Sequence, residues 1–242
     1  MYCVIKKPRF FDLDIDGVGG GKIHLINHKR LAIVASDSVM ADYPITRENT
    51  IAHQQIIEEV MQKYSPVLPI SFGTVAENDF LIHEKILQAK QSELLNALRE
   101  IDGKIELNLK AVWIDMPAIL KKISAENSEL CQLKKSFNGK TLCRDEAIEI
   151  GKIVADCILT RKERIRNEIF AMLEDIIVDY KDMQLLGDQM IFNLAVLISE
   201  NKQKEFDRIV HNLDEKYRGE NAYFKYIGPN PPFNFVKVPI NI

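Results

Sequence analysis

Two strand-and-helix sets in succession, each with its own change of hydrophobic period, predict an α+β protein of two domains. An N-terminal α+β domain is expected over residues 1–103. A C-terminal ferredoxin-like (βαββαβ) domain with a helical insertion is expected over residues 104–242. Two observations carry this reading. The chain has 242 residues, 46% of them hydrophobic, enough for two ordinary domains, and Asp102-Gly103 is a strong helix-stop signal after which a complete second set begins.

The first set opens with strands. Tyr2–Lys6 is short and β-rich, and 22–27 and 31–35 flank His28-Lys29-Arg30, a turn-sized polar break. From Arg47 the period changes. Ile51, Ile56, Ile57, Val60, Met61 and Tyr64 recur three and four residues apart, the spacing of one helical face. The stretch 67–72 is too brief for a buried helix and reads as a strand. Residues 80–101 return to helical spacing through Leu81, Ile82, Ile86, Leu87, Leu94, Leu95 and Leu98.

In the second set a strand (105–115) precedes a helical insertion (118–136). Residues 145–179 then form the longest helical stripe, a helix of roughly 50 Å at ~1.5 Å per residue. Strands at 183–186 and 190–199 are expected to meet across a Gly187-Asp188 hairpin turn, followed by a helix at 202–217 and a last strand at 223–227. The split βαβ plan is common and by itself says little about function.

Composition narrows the function classes. Lys+Arg of 32 against Asp+Glu of 35 gives a net charge of -3, with no basic face to hold nucleic acid. "RKERIR" (161–166) reads as a solvated helix face, and Phe192 is the single aromatic in 189–199, too few for base stacking. No window reaches the ~20 apolar residues of a membrane-spanning helix. Cys3, Cys131, Cys143 and Cys157 are widely spaced and no signal peptide precedes them, which points to reduced thiols in the cytoplasm.

No catalytic, cofactor or metal site is expected. "FDLDIDGVGGGK" (11–22) places Asp12, Asp14, Asp16 and Gly17 as a calcium loop would, but Ile23 stands where the bidentate Glu belongs. The stretch reads instead as a strand with Phe11, Leu13 and Ile15 inward, followed by a glycine loop. A phosphate loop fails because Asp16 occupies the first glycine position and Ile23 the hydroxyl position. "HEKIL" has Leu87 in place of a second zinc ligand, so His83 reads as a solvated helix residue. Cys157 falls on an apolar stripe as a packing group.

Two segments resist these assignments. "SPVLPISFGTVAEND" (65–79) interrupts an apolar run with Pro66 and Pro69. We expect an edge strand, a turn at Gly73 where a Cβ would collide, and a helix cap from Thr74 or Asn78. "YIGPNPPFNFVKVPI" (226–240) places prolines and aromatics where a loose tail would be polar, so an extended segment laid on its own domain or on a partner is expected.

Together, "HQQIIEEVMQKYSPVLPISFGTV" (53–75) and "GPNPPFNFV" (228–236) resemble the gas vesicle protein F/L family, as does the strand "GKIELNLKAVWID" (103–115). Asn230 stands where the family commonly has an aromatic, and Ser71 where an Arg often precedes Phe-Gly-Thr. The resemblance implies a gas vesicle accessory protein: a minor structural or assembly component, found on the vesicle within the cytoplasm, that contacts the gas vesicle shell protein or other accessory proteins. It implies no chemistry and no cofactor. The motif positions that become candidate partner contacts are Phe72, Gly73, Thr74, Pro229, Pro231, Pro232, Phe233 and Phe235. The competing expectation is a small-molecule- or nucleotide-binding α+β protein using an interdomain crevice near Asp12, Asp14 and Asp16.

Overall fold

The computed structural model describes residues 1–38, 42–137, 143–236 and 238–240. The chain divides into two compact units. The first comprises Met1–Leu107, Leu197–Asn201 and Gly228–Ile242, and the second Asn108–Val196 and Lys202–Ile227. The Pro-rich tail, expected with the C-terminal domain, is thus grouped with the first unit.

In the first unit β1 (Cys3–Lys6), β2 (Ile23–His28), β3 (Leu31–Ser36) and β4 (Val67–Pro69) pair antiparallel in the order β2-β3-β1-β4. Strand β1 and strand β3 read as almost unbroken apolar runs because both faces of the sheet are covered. On one face, Cys3, Ile5, Ala32 and Val34 meet Ile56, Ile57 and Val60 of α1 (Arg47–Tyr64). On the other, Val4, Leu31, Ile33 and Leu68 meet Ile86, Leu87, Leu94 and Leu98. Thr46 starts α1 by accepting from Asn49 N at 3.2 Å, an N-cap bond of a kind worth about 1 kcal/mol.

The single helix expected over 80–101 is broken. It consists of α2 (Asp79–Ile82), a π-helical turn at His83–Gln88 and α3 (Gln91–Glu100). The wider π-turn inserts an extra residue without losing the inward stripe, so sequence periodicity does not register it. His83 is not solvated either. It is half-buried, and its Nε2 lies 2.9 Å from His28 Nδ1.

The second sheet has the order β6-β7-β5-β8. Its strands are β5 (Lys104–Trp113), β6 (Ile177–Asp182), β7 (Met190–Ser199) and β8 (Ala222–Asn230). With α4 (Met116–Glu126), α5 (Ser128–Phe137), α6 (Arg144–Leu173) and α7 (Gln203–Lys216), this gives the βαββαβ order with a helical insertion. Both sheets are antiparallel, and the fold is α+β as the sequence predicts.

Helix α6 spans 30 residues, about 45 Å, and ends six residues before the expected Asp179. Ile176 and Ile177 fit a helical stripe or a strand equally well, and Val178-Asp179-Tyr180 resolves in favour of the strand. The strand expected at 183–186 therefore lies earlier, at β6, and residues 183–186 belong to a longer connection. The expectation of a solvated "RKERIR" face is also overturned. The Arg161 side chain is only 10% exposed and pairs with Glu126 and Glu220, both at 3.0 Å. Arg164 pairs with Glu168 and Glu220, and Arg166 with Asp182.

Candidate functional site

The Phe72-Gly73-Thr74 motif closes a cavity in the first unit. Strand β4 is the edge of its sheet, as Pro66 and Pro69 imply. It ends at Pro69, earlier than expected, although Ile70 N still donates to Tyr2 O at 2.8 Å. The chain then turns: Thr74 N and Thr74 Oγ1 both donate to Ser71 O. Gly73 holds φ +81°, with no atom within 4 Å of where its Cβ would lie. The expected collision is absent, so the glycine is required by the left-handed backbone alone. Of the two expected caps, Asn78 is the one used, its Oδ1 accepting from Leu81 N at 3.0 Å.

His53 anchors the turn from α1. Its Nε2 donates to Ile70 O at 2.9 Å, and burial lowers the pKa of the ring, keeping a neutral imidazole between Tyr2 and Phe72. The His53 ring centroid lies 5.2 Å from that of Tyr2 and 5.5 Å, edge-to-face, from that of Phe72. Burial likewise raises the pKa of the Tyr2 phenol, whose oxygen accepts from Val18 N at 2.9 Å and shares a 2.7 Å hydrogen bond with Ser36 Oγ.

Val18 of the glycine loop, Tyr43 and residues 35–38 at the end of β3 form the facing wall. A Cβ on Gly21 would stand 1.9 Å from Asp37 O, and one on Gly17 2.4 Å from Ser36 Cβ. These glycines let the loop approach the end of β3, which accounts for a pattern that resembles ion and phosphate loops without completing either. Phe11, Leu13 and Ile15 pack inward as expected, but among the described residues the strand pairing there is limited to an Asp16–Lys22 bridge. The cavity is about 200 Å³ and opens to solvent, lined among others by Tyr2, Tyr43, His53 and Phe72 and by the acidic residues Asp37 and Glu77. The described residues contain no group of three or more His, Cys, Asp or Glu placed to hold a metal.

The tail is fixed through a buried carboxylate. Glu106 of β5, 1% exposed, accepts from Asn234 N at 2.9 Å and Asn234 Nδ2 at 2.6 Å. Strand β8 continues through Pro229 to Asn230, further than expected. Pro231 and Pro232 are buried, Phe235 is half-buried, and Pro229 and Phe233 are exposed. Beyond them Val236, Val238 and Ile240 pack on the same core cluster as Met1 and Ala76, two residues that also line the cavity. The two sequence motifs, residues 53–75 and 228–236, thus converge on one unit. Lys237, within the tail motif, lies outside the described residues. Sequence reasoning missed Glu106, His53, Asp37 and Glu77. The alternation of β5 puts Ile105, Leu107, Leu109, Ala111 and Trp113 on one face and Glu106 on the other with Asn108 and Lys110, so nothing in the strand itself signals that Glu106 is buried.

Fold and site define a two-unit α+β protein whose distinguishing features are a motif-closed cavity and a docked tail. Residues 1–237 match the family model described as gas vesicle synthesis protein GvpL/GvpF, and the chain belongs to that family. Among its relatives, gas vesicle protein F of Nostoc sp. is 26% identical over 84% of this chain and 83% of its own. That of Dolichospermum flosaquae is 24% identical over 93% and 92%. The crystal structure of GvpF from Anabaena sp. PCC7120 superposes with a TM-score of 0.89 at 24% identity, covering 99% of this chain and 98% of that one. GvpF from Microcystis aeruginosa gives 0.82 at 24% identity, covering 98% of each. The chain is accordingly a gas vesicle accessory protein. No helix among the described residues is long and apolar enough to cross a membrane.

Proposed function

We propose that this protein acts by binding: as a minor component of gas vesicle assembly it holds the shell protein, or another gas vesicle accessory protein, while the shell is built within the cytoplasm. The observation that carries the reading is the family match over residues 1–237. The geometry supports it. The cavity under the Phe72-Gly73-Thr74 turn, at about 200 Å³, falls below the roughly 300–1,000 Å³ of sites that enclose small molecules. Its scale is that of a partner's side chain. Phe233, 39% exposed on the tail, offers a second apolar contact of the sort that anchors interfaces.

Affinity capture by the immobilised full-length chain, against the shell protein and each accessory protein singly, tests this. Saturable capture of at least one is expected. A folded chain that captures none of them contradicts the proposal.

A further inference from the structure

We propose that the cavity beneath the Phe72-Gly73-Thr74 turn receives an arginine side chain of the binding partner. This rests on the reading that the protein acts by binding, and names the chemistry that the site selects.

Three features of the cavity converge on that ligand. Four aromatic side chains line it, Tyr2, Tyr43, His53 and Phe72; Tyr2 and His53 are buried, while the half-buried Tyr43 and Phe72 keep surface on which a planar guanidinium stacks where a compact ammonium, more strongly hydrated, gains less. Its charge is negative. Among the described residues Asp37, Glu77 and Asp79 line it and no Lys or Arg does, and Asp37 and Glu77 form no ion pair there. Asp79 has the His24 ring 3.5 Å away. The one cationic group in the lining, the Met1 amine, is already committed to Thr74 O at 3.1 Å, and its burial favours the neutral form. The neutral His53 ring adds no repulsion.

The walls are also fixed before any ligand arrives. Tyr2 Oη is held by Val18 N and Ser36 Oγ, and Tyr43 Oη donates to Val18 O at 3.2 Å. A side chain entering the cavity therefore need not order the groups that receive it, which lowers the entropic cost of binding.

The test is titration of the isotope-labelled full-length chain with N-acetyl-arginine amide, read by amide chemical shifts, beside N-acetyl-citrulline amide, which keeps the shape and lacks the charge. Arginine amide is expected to shift the Thr74, Val75 and Asn78 amides saturably, with a dissociation constant on the order of 1 mM. Asp37→Asn with Glu77→Gln, both at exposed positions, should weaken that binding by about fivefold or more and leave the rest of the spectrum unchanged. Equal shifts from citrulline amide, or no saturable shift at these amides, overturn the proposal. Partner capture that persists while the titration is silent would overturn this assignment and leave the binding function standing.

Discussion

At Gly73 the backbone alone decides what can be tolerated. Since φ is +81° and the space around the absent Cβ is open, Gly73→Val should cost about 1–3 kcal/mol. Gly73→Asn should cost distinctly less, because Asn enters the left-handed region more easily. Denaturant melts of the two variants check this, and equal losses would mean that bulk, not conformation, is what the site rejects. The sequence exposed the turn but not its reason, since a glycine kept for φ and one kept for close approach look alike in one dimension. Gly21 is the contrasting case: its restriction is the Asp37 carbonyl, which only the fold brings near.

His53 gives the residue scale its pH signature. Burial lowers its pKa, so the native state binds the proton less readily than the unfolded chain, in which histidine titrates near 6.5. The stability this histidine supports is therefore complete above that pH and is lost as pH falls through it towards the lowered native value. Denaturation midpoints measured from pH 7.5 down to 5.5 should fall for the natural chain and fall less for His53→Gln. Identical slopes would remove His53 from the account.

Among the elements, the tail and α6 carry the clearest consequences. Asn234→Ala removes the Nδ2 hydrogen bond to the buried Glu106 carboxylate and keeps the one from Asn234 N, and should destabilise by about 1–2 kcal/mol. Thermal unfolding measures it, and a loss within ~0.3 kcal/mol would show that the tail is held without the Asn234 side chain. In α6, Arg161→Met leaves Glu220 half-paired beside Arg164. The expected loss is about 1–3 kcal/mol, since removing one partner of a shielded pair leaves the other desolvated.

The elements were mostly legible in the sequence, because strands and helices here alternate in period and are marked off by Asp102-Gly103 and by the Asn78 cap. What escaped had physical causes. The π-turn at His83–Gln88 preserves the apolar stripe across an extra residue. Ile176-Ile177 suits a helix or a strand. The arginines of 161–166 look solvated until Glu220, far along the chain, folds beside them.

On the scale of the molecule, two α+β units are joined in one chain, and the tail is grouped with the unit formed by the N-terminal residues. The family match extends over nearly the whole sequence, and the two motifs that first resembled the family meet on that unit. This face is the proposed site of partner contact. The family resemblance was readable from those motifs, whereas the cavity was not, because its walls come from Tyr2, the glycine loop, α1 and the 72–79 turn, segments separated by tens of residues. Hydrogen–deuterium exchange of the full-length chain, with and without the gas vesicle protein it captures, tests the claim most directly. Slowed exchange at residues 71–78 is expected on binding. Unchanged exchange there, with protection appearing only on other elements, would contradict it.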